Sequence, residues 1–114
     1  MLCRAILPAD TYNIFIDIAG VYNHFQEAKK AFEKAVMNHF VTTKTYNIFI
    51  DIAARNGHFQ DAKNVFEKAK ASNMTDLFSY MNFIKAAKEN DDLEAATQAI
   101  NEANAKWPWE SFTE

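Results

Sequence analysis

A chain that repeats itself at a fixed interval must let each copy meet its neighbours in the same way. The stretch TYNIFIDIA, Thr11 to Ala19, returns letter for letter as Thr45 to Ala53. Shifted by 34 residues, Thr11–Lys44 matches Thr45–Phe78 at 18 positions. A second shift brings in Ser79 to Ala103, less alike in letters but alike in size. Tyr12, Tyr46 and Tyr80 fall together, as do Phe15, Phe49 and Phe83, and Ala19, Ala53 and Ala87. Three copies, 9–42, 43–76 and 77–106, fill most of the chain, between an N-terminal segment 1–8 and an aromatic tail 107–114. A period in the range of about 20 to 50 residues marks a stacked array.

Inside each copy the period is helical. Tyr12, Phe15, Ile16 and Ala19 stand at i, i+3, i+4 and i+7, and Phe25, Ala28, Phe32 and Ala35 do the same in the second half. Between the halves lie Tyr22-Asn23, Asn56-Gly57 and Asn90-Asp91, residues that tolerate the left-handed backbone ending a helix. Thr42, Thr43 and Asp76 stand at helix starts and suit N-caps, as does Asp10 for the first helix. Ala28, Ala62 and Ala96 let backbones approach, and Phe32 and Phe66 fill the space beside them. The copies diverge at Gly20–Asn23 against Ala54–Gly57, a helix end where packing is expected to restrict less. The fold class expected is all-α, a right-handed superhelix (α-solenoid) of three 34-residue helix–turn–helix repeats.

Composition narrows the function classes. The net charge of −3 and pI of about 5.6 supply no global field for phosphates. Cys3 is the single cysteine, so neither an internal disulfide nor a cysteine-based zinc site can form. The opening MLCRAIL is too short for a signal peptide and resembles the end of a preceding helix; no apolar run spans a membrane. The expected setting is intracellular, cytoplasmic or organellar. His24 and His58 lie one copy apart, about 10 Å by helix-packing distances, too far to share a metal. Gly-rich phosphate loops, serine elbows and paired catalytic carboxylates with a base are absent from the sequence. The expectation is a non-enzyme without cofactor or metal.

The residues carry a family resemblance. TYN followed by FID, at Thr11 and again at Thr45, and the run RNGHFQDAKNVFEKAK from Arg55 to Lys70, resemble a pentatricopeptide repeat of the tetratricopeptide-like superfamily. Ile16, Ile50 and Ile84 stand where a tetratricopeptide repeat wants a small residue, whereas the 34-residue period and Ala35, Ala69 and Ala103 are similar to that branch. The resemblance covers about residues 9–105. It implies first helices lining a concave groove and single-stranded RNA read at about one base per repeat. It further implies reading pairs Asn13 with Thr42 and Asn47 with Asp76, and base-packing positions at Asp10, Lys44 and Phe78. Met81 replaces the third Asn and departs from the pattern, and of the packing positions only Phe78 suits a base.

Read without choosing a branch, the first-helix face carries Asn13 and Asp17, then Lys44, Asn47, Asp51 and Arg55, then Met81, Lys85 and Lys88. Asn side chains donate and accept, so this ladder suits an extended peptide as well as a base. The partner expected first is a protein or peptide segment. Single-stranded RNA is the alternative, self-association through the end repeats or aromatic tail a further one, and a membrane is not expected. A purely structural role is the competing reading: the asparagines satisfied between stacked helices, Asp17 paired with Lys44 or Arg55, and Asp51 with Lys85. Trp107, Trp109 and Phe112 are expected to fold back over the last repeat.

Overall fold

The computed structural model describes residues 8–109, and these form six α-helices with no strand among them. In order they are α1 (Pro8–Val21), α2 (Phe25–Met37), α3 (Thr43–Arg55), α4 (Phe59–Ala71), α5 (Leu77–Glu89) and α6 (Leu93–Lys106). Cys3, the MLCRAIL segment and Phe112 lie outside the described residues.

Local chemistry starts and stops each helix. Thr42 and Asp76 cap α3 and α5 through reciprocal capping boxes with Thr45 and Ser79. Thr43 is therefore the first residue inside α3 rather than its cap. Asp10 likewise sits within the first turn of α1, so its carboxylate faces the positive end of the helix from inside. Five turns end in one motif. A residue with positive φ (Asn23, His39, Gly57, Asn73 or Asp91) is followed by an amide that donates back across the helix end, as His24 does to the Ala19 carbonyl at 2.8 Å. Asn23, Gly57 and Asp91 are the expected turn residues. His39 and Asn73 make the same turn between repeats, where the sequence reading named none.

The six helices form two layers. Each second helix packs on the first helix of its own repeat, α1 abuts α3, and α3 abuts α5. Among the described residues α2 and α4 also reach the following first helix, whereas second helices stand farther apart and meet through long side chains, Lys29 with Asp61 and Lys70 with Glu102. Two layers of unequal spacing bend, which puts the closely spaced first helices on the inner side of an elongated helical-repeat solenoid, 49 Å long against 28 and 21 Å.

Aromatic rings form the joints between repeats. Phe49 of α3 stacks on Phe32 of α2 at 4.5 Å, and Phe83 of α5 stacks on Phe66 of α4 at 4.2 Å. Tyr46 and Tyr80 meet the same two phenyl rings edge-on, at 5.6 and 5.1 Å. Each such ring buries about 150–250 Å² and adds the preference for stacked and edge-on geometry, so each joint rests on a few residues. Phe15 occupies the same register but is 50% exposed against 1% for Phe49, which corrects its expected place on a buried face. No described second helix precedes α1 to cover it.

The divergence at Gly20 is also not the slack helix end that was expected. Gly20 is buried, and a Cβ there would run into the Ile52 side chain. The glycine lets α3 lay a branched side chain against α1. One repeat on, Ala54 and Ala86 stand at these two positions, an alanine pair in place of glycine with isoleucine. The register thus sets two small residues where the first joint sets no side chain against a branched one.

Trp107 packs edge-on against Tyr80 at 5.6 Å, whereas Trp109 remains 73% exposed. Burial and then the neighbouring Glu102 carboxylate push the Tyr80 phenol up to about 12. Lys70 meets Glu102 at 3.0 Å and Glu67 at 3.2 Å. Burial opposes its charge, but the hydrogen bonds from its ammonium to those two carboxylates win and raise its pKa.

Candidate binding face

The inner side of α1, α3 and α5 carries the sequence-derived candidates, and its polar residues are organised by the caps. Thr45 Oγ1 accepts from the Thr42 amide at 3.0 Å and donates across the joint to Asn13 Oδ1 at 2.6 Å. Ser79 repeats this arrangement. Its Oγ accepts from the Asp76 amide at 3.0 Å and donates to Asn47 Oδ1 at 2.5 Å. One hydroxyl thereby closes a capping box and ties it to the preceding repeat. Thr45 and Ser79 are fully buried, so these bonds satisfy groups that would be costly to leave unpaired. The sequence reading missed both residues. The signal was available: Thr42-x-x-Thr45 and Asp76-x-x-Ser79 share a spacing, with an Asn 32 residues before each hydroxyl.

The candidates fall into three groups. Asn13 is only 5% exposed and is held by Thr45, so Thr45 stands between it and Thr42 instead of the two forming a direct pair. Asn47 and Asp76 do come together: Asn47 Nδ2 donates to Asp76 Oδ1 at 3.0 Å. Partial burial works against the Asp76 charge, but hydrogen bonds from the Asn47 amide and from Ser79 hold its carboxyl below the usual range. The second group is ionic. Asp51 meets Arg55 at 3.2 Å one helical turn away, not Lys85 as the competing reading had it. The third group is exposed: Asp17, Thr42, Lys44, Phe78 and Lys85 face solvent, with Met81 beside Phe78 on α5. Phe78 is 62% exposed, a large ring left uncovered on the last first-helix.

A family model described as PPR repeat matches residues 44–74. That match and the six-helix array support a pentatricopeptide-type helical-repeat protein. The match starts at Lys44 and spans α3, the turn at Gly57 and α4, and so contains Asn47 but stops short of Asp76. A comparison with curated proteins gives no match. The position for which the resemblance implies base reading is part of the joint in repeats one and two, and a methionine in repeat three. Among the described residues no three His, Cys, Asp or Glu side chains are grouped to hold a metal ion, and no helix is long and apolar enough to cross a membrane.

Proposed function

We propose that this helical-repeat scaffold binds a short segment of another protein along its first-helix face, without catalysis. One observation carries this reading. The amides of Asn13 and Asn47, which would have to read base edges, are engaged with Thr45, Ser79 and Asp76 in holding repeats together. Toward the α5 end the surface carries Phe78 and Met81, one helical turn apart, with Lys85 a turn beyond and Lys44 on α3, while Thr42 and Asp17 are exposed farther along. A ring, a thioether and two ammonium groups suit an extended segment with apolar and acidic side chains.

The second reading, single-stranded RNA, draws support from the PPR-repeat match and from the Asn47–Asp76 pair at 3.0 Å. A titration of a labelled pyrimidine-rich strand, at low and moderate salt, separates the two. RNA binding would weaken with salt at a log–log slope of about 0.7 per neutralised phosphate. Saturable binding abolished by Asn47→Ala would replace the peptide reading. The peptide reading expects no saturation with RNA, and binding of acidic–aromatic peptides on an array that Phe78→Ala and Lys85→Glu each weaken.

A further inference from the structure

The N-terminal end of the array presents a face whose two internal copies are both occupied, and those copies show what fits. In the first joint the second helix α2 offers Phe25, Lys29 and Phe32, at i, i+4 and i+7. Phe25 stacks on the His58 ring at 3.9 Å, Lys29 meets Asp61 at 3.2 Å, and Phe32 stacks on Phe49. In the second joint α4 offers Phe59, Lys63 and Phe66 at the same spacing. Phe59 and Phe66 both stack on Phe83, and Lys63 meets Asp92 at 3.0 Å.

One step of 34 residues before these receiving groups stand Tyr12, Phe15, His24 and Glu27. Tyr12 matches Tyr46, Phe15 matches Phe49, His24 matches His58, and Glu27 matches Asp61. Phe15, His24 and Glu27 are exposed, and Glu27 makes no ion pair with any described residue. Two adjoining hollows of about 460 and about 640 Å³ lie here, and Phe15 and Glu27 line both. Ile14 and Ile18 extend the apolar surface beside them.

We infer that this face is a docking site for an amphipathic helix of another polypeptide carrying an aromatic–lysine–aromatic pattern at i, i+4 and i+7. Its second ring covers Phe15, its first ring lies on His24, and its lysine pairs with Glu27. The first joint selects this chemistry, ring on histidine and lysine on acid; the second keeps the two rings and the lysine but receives the lysine at Asp92, the counterpart of His24, with Ala95 at the counterpart of Glu27. A second copy of the chain does not supply it. Its α2 and α4 already have these residues in joints, and α6 has Leu93, Thr97 and Ile100 at the three positions, with no lysine and no ring. At the end of α5, Lys88 stands where a joint needs Gly20 or Ala54.

The test is fluorescence anisotropy of a labelled synthetic peptide with the sequence of residues 58–72, titrated with the full chain. Saturable one-to-one binding is expected, weakened about tenfold or more by Phe15→Ala in the chain, the scale of losing an aromatic anchor. Glu27→Lys weakens it as well, and a peptide carrying Lys63→Glu regains binding to that variant. Both positions are at the surface, so the variants keep the fold, and circular dichroism checks this. Absence of saturation, or binding indifferent to both variants, overturns the inference. So does dimerisation of the chain lost on Phe15→Ala, which would seat a second copy there. Binding that emerges only after deletion of residues 1–7 would assign the face to the chain's own N-terminus and overturn it equally.

Discussion

Single residues at the turns and caps carry strain and charge that can be measured separately. His39 adopts φ 63 at an exposed turn, a left-handed conformation that costs a residue with a Cβ roughly 1–2 kcal/mol. His39→Gly is expected to stabilise the protein by about 1 kcal/mol and raise Tm by about 4 °C in a thermal melt. Gly57 at φ 80 holds the same conformation without that cost, so Gly57→Ala should lower Tm by a similar amount. Asp76 gives a pH signature. Its carboxyl is held below the ordinary value of 3.8, so the folded state favours the charged form. Its contribution is complete above that value and is lost as pH falls through the lower folded one. Urea melts at near-neutral pH and below pH ~4 should show wild type losing more stability than Asp76→Asn, because an amide keeps the cap but cannot titrate.

Between elements, the joints set the outcome. Gly20 and Ile52 share one volume, so Gly20→Ala must push α1 from α3 or force Ile52 off its rotamer. Overpacking of this kind costs about 1–3 kcal/mol. Ile52→Ala alone leaves a cavity and costs roughly 2–5 kcal/mol. The double variant reproduces the Ala54–Ala86 pair of the next joint, so its destabilisation in urea should be smaller than the sum of the singles by about 0.5–3 kcal/mol. Additive costs would show that the two side chains do not compete for space. The Asn13–Thr45 bond tests the same joint by its polar half. Asn13→Ala leaves a fully buried hydroxyl short of an acceptor and should destabilise by about 1–3 kcal/mol.

At the scale of the whole molecule, stability is a sum of repeat and joint contributions, so equivalent residues differ by whether a neighbour exists. Phe49→Ala removes a ring seated on Phe32 and should cost about 3–5 kcal/mol, whereas Phe15→Ala removes a half-exposed ring and should change the urea midpoint little. Near-equal effects would mean that the first copy is already covered in solution. A chain built this way also lets α1 and α2 fray before α3 to α6, visible as faster amide exchange in the first repeat.

The interval of 34 residues and the apolar spacing determined the helices, their pairing and the left-handed turns at Asn23, Gly57 and Asp91, because backbone preference and helical periodicity act locally. The resemblance in TYN and the Arg55–Lys70 run named the family for the same reason. Only the tertiary structure decided that Asn13 turns inward to Thr45, that Gly20 is tight rather than slack, and that Phe15 lies open while Phe49 does not. Identical letters at Thr11–Ala19 and Thr45–Ala53 carry the same local instructions. Burial and hydrogen bonding belong to pairs of helices, and the same side chain has a different partner, or none described, at the end of an array.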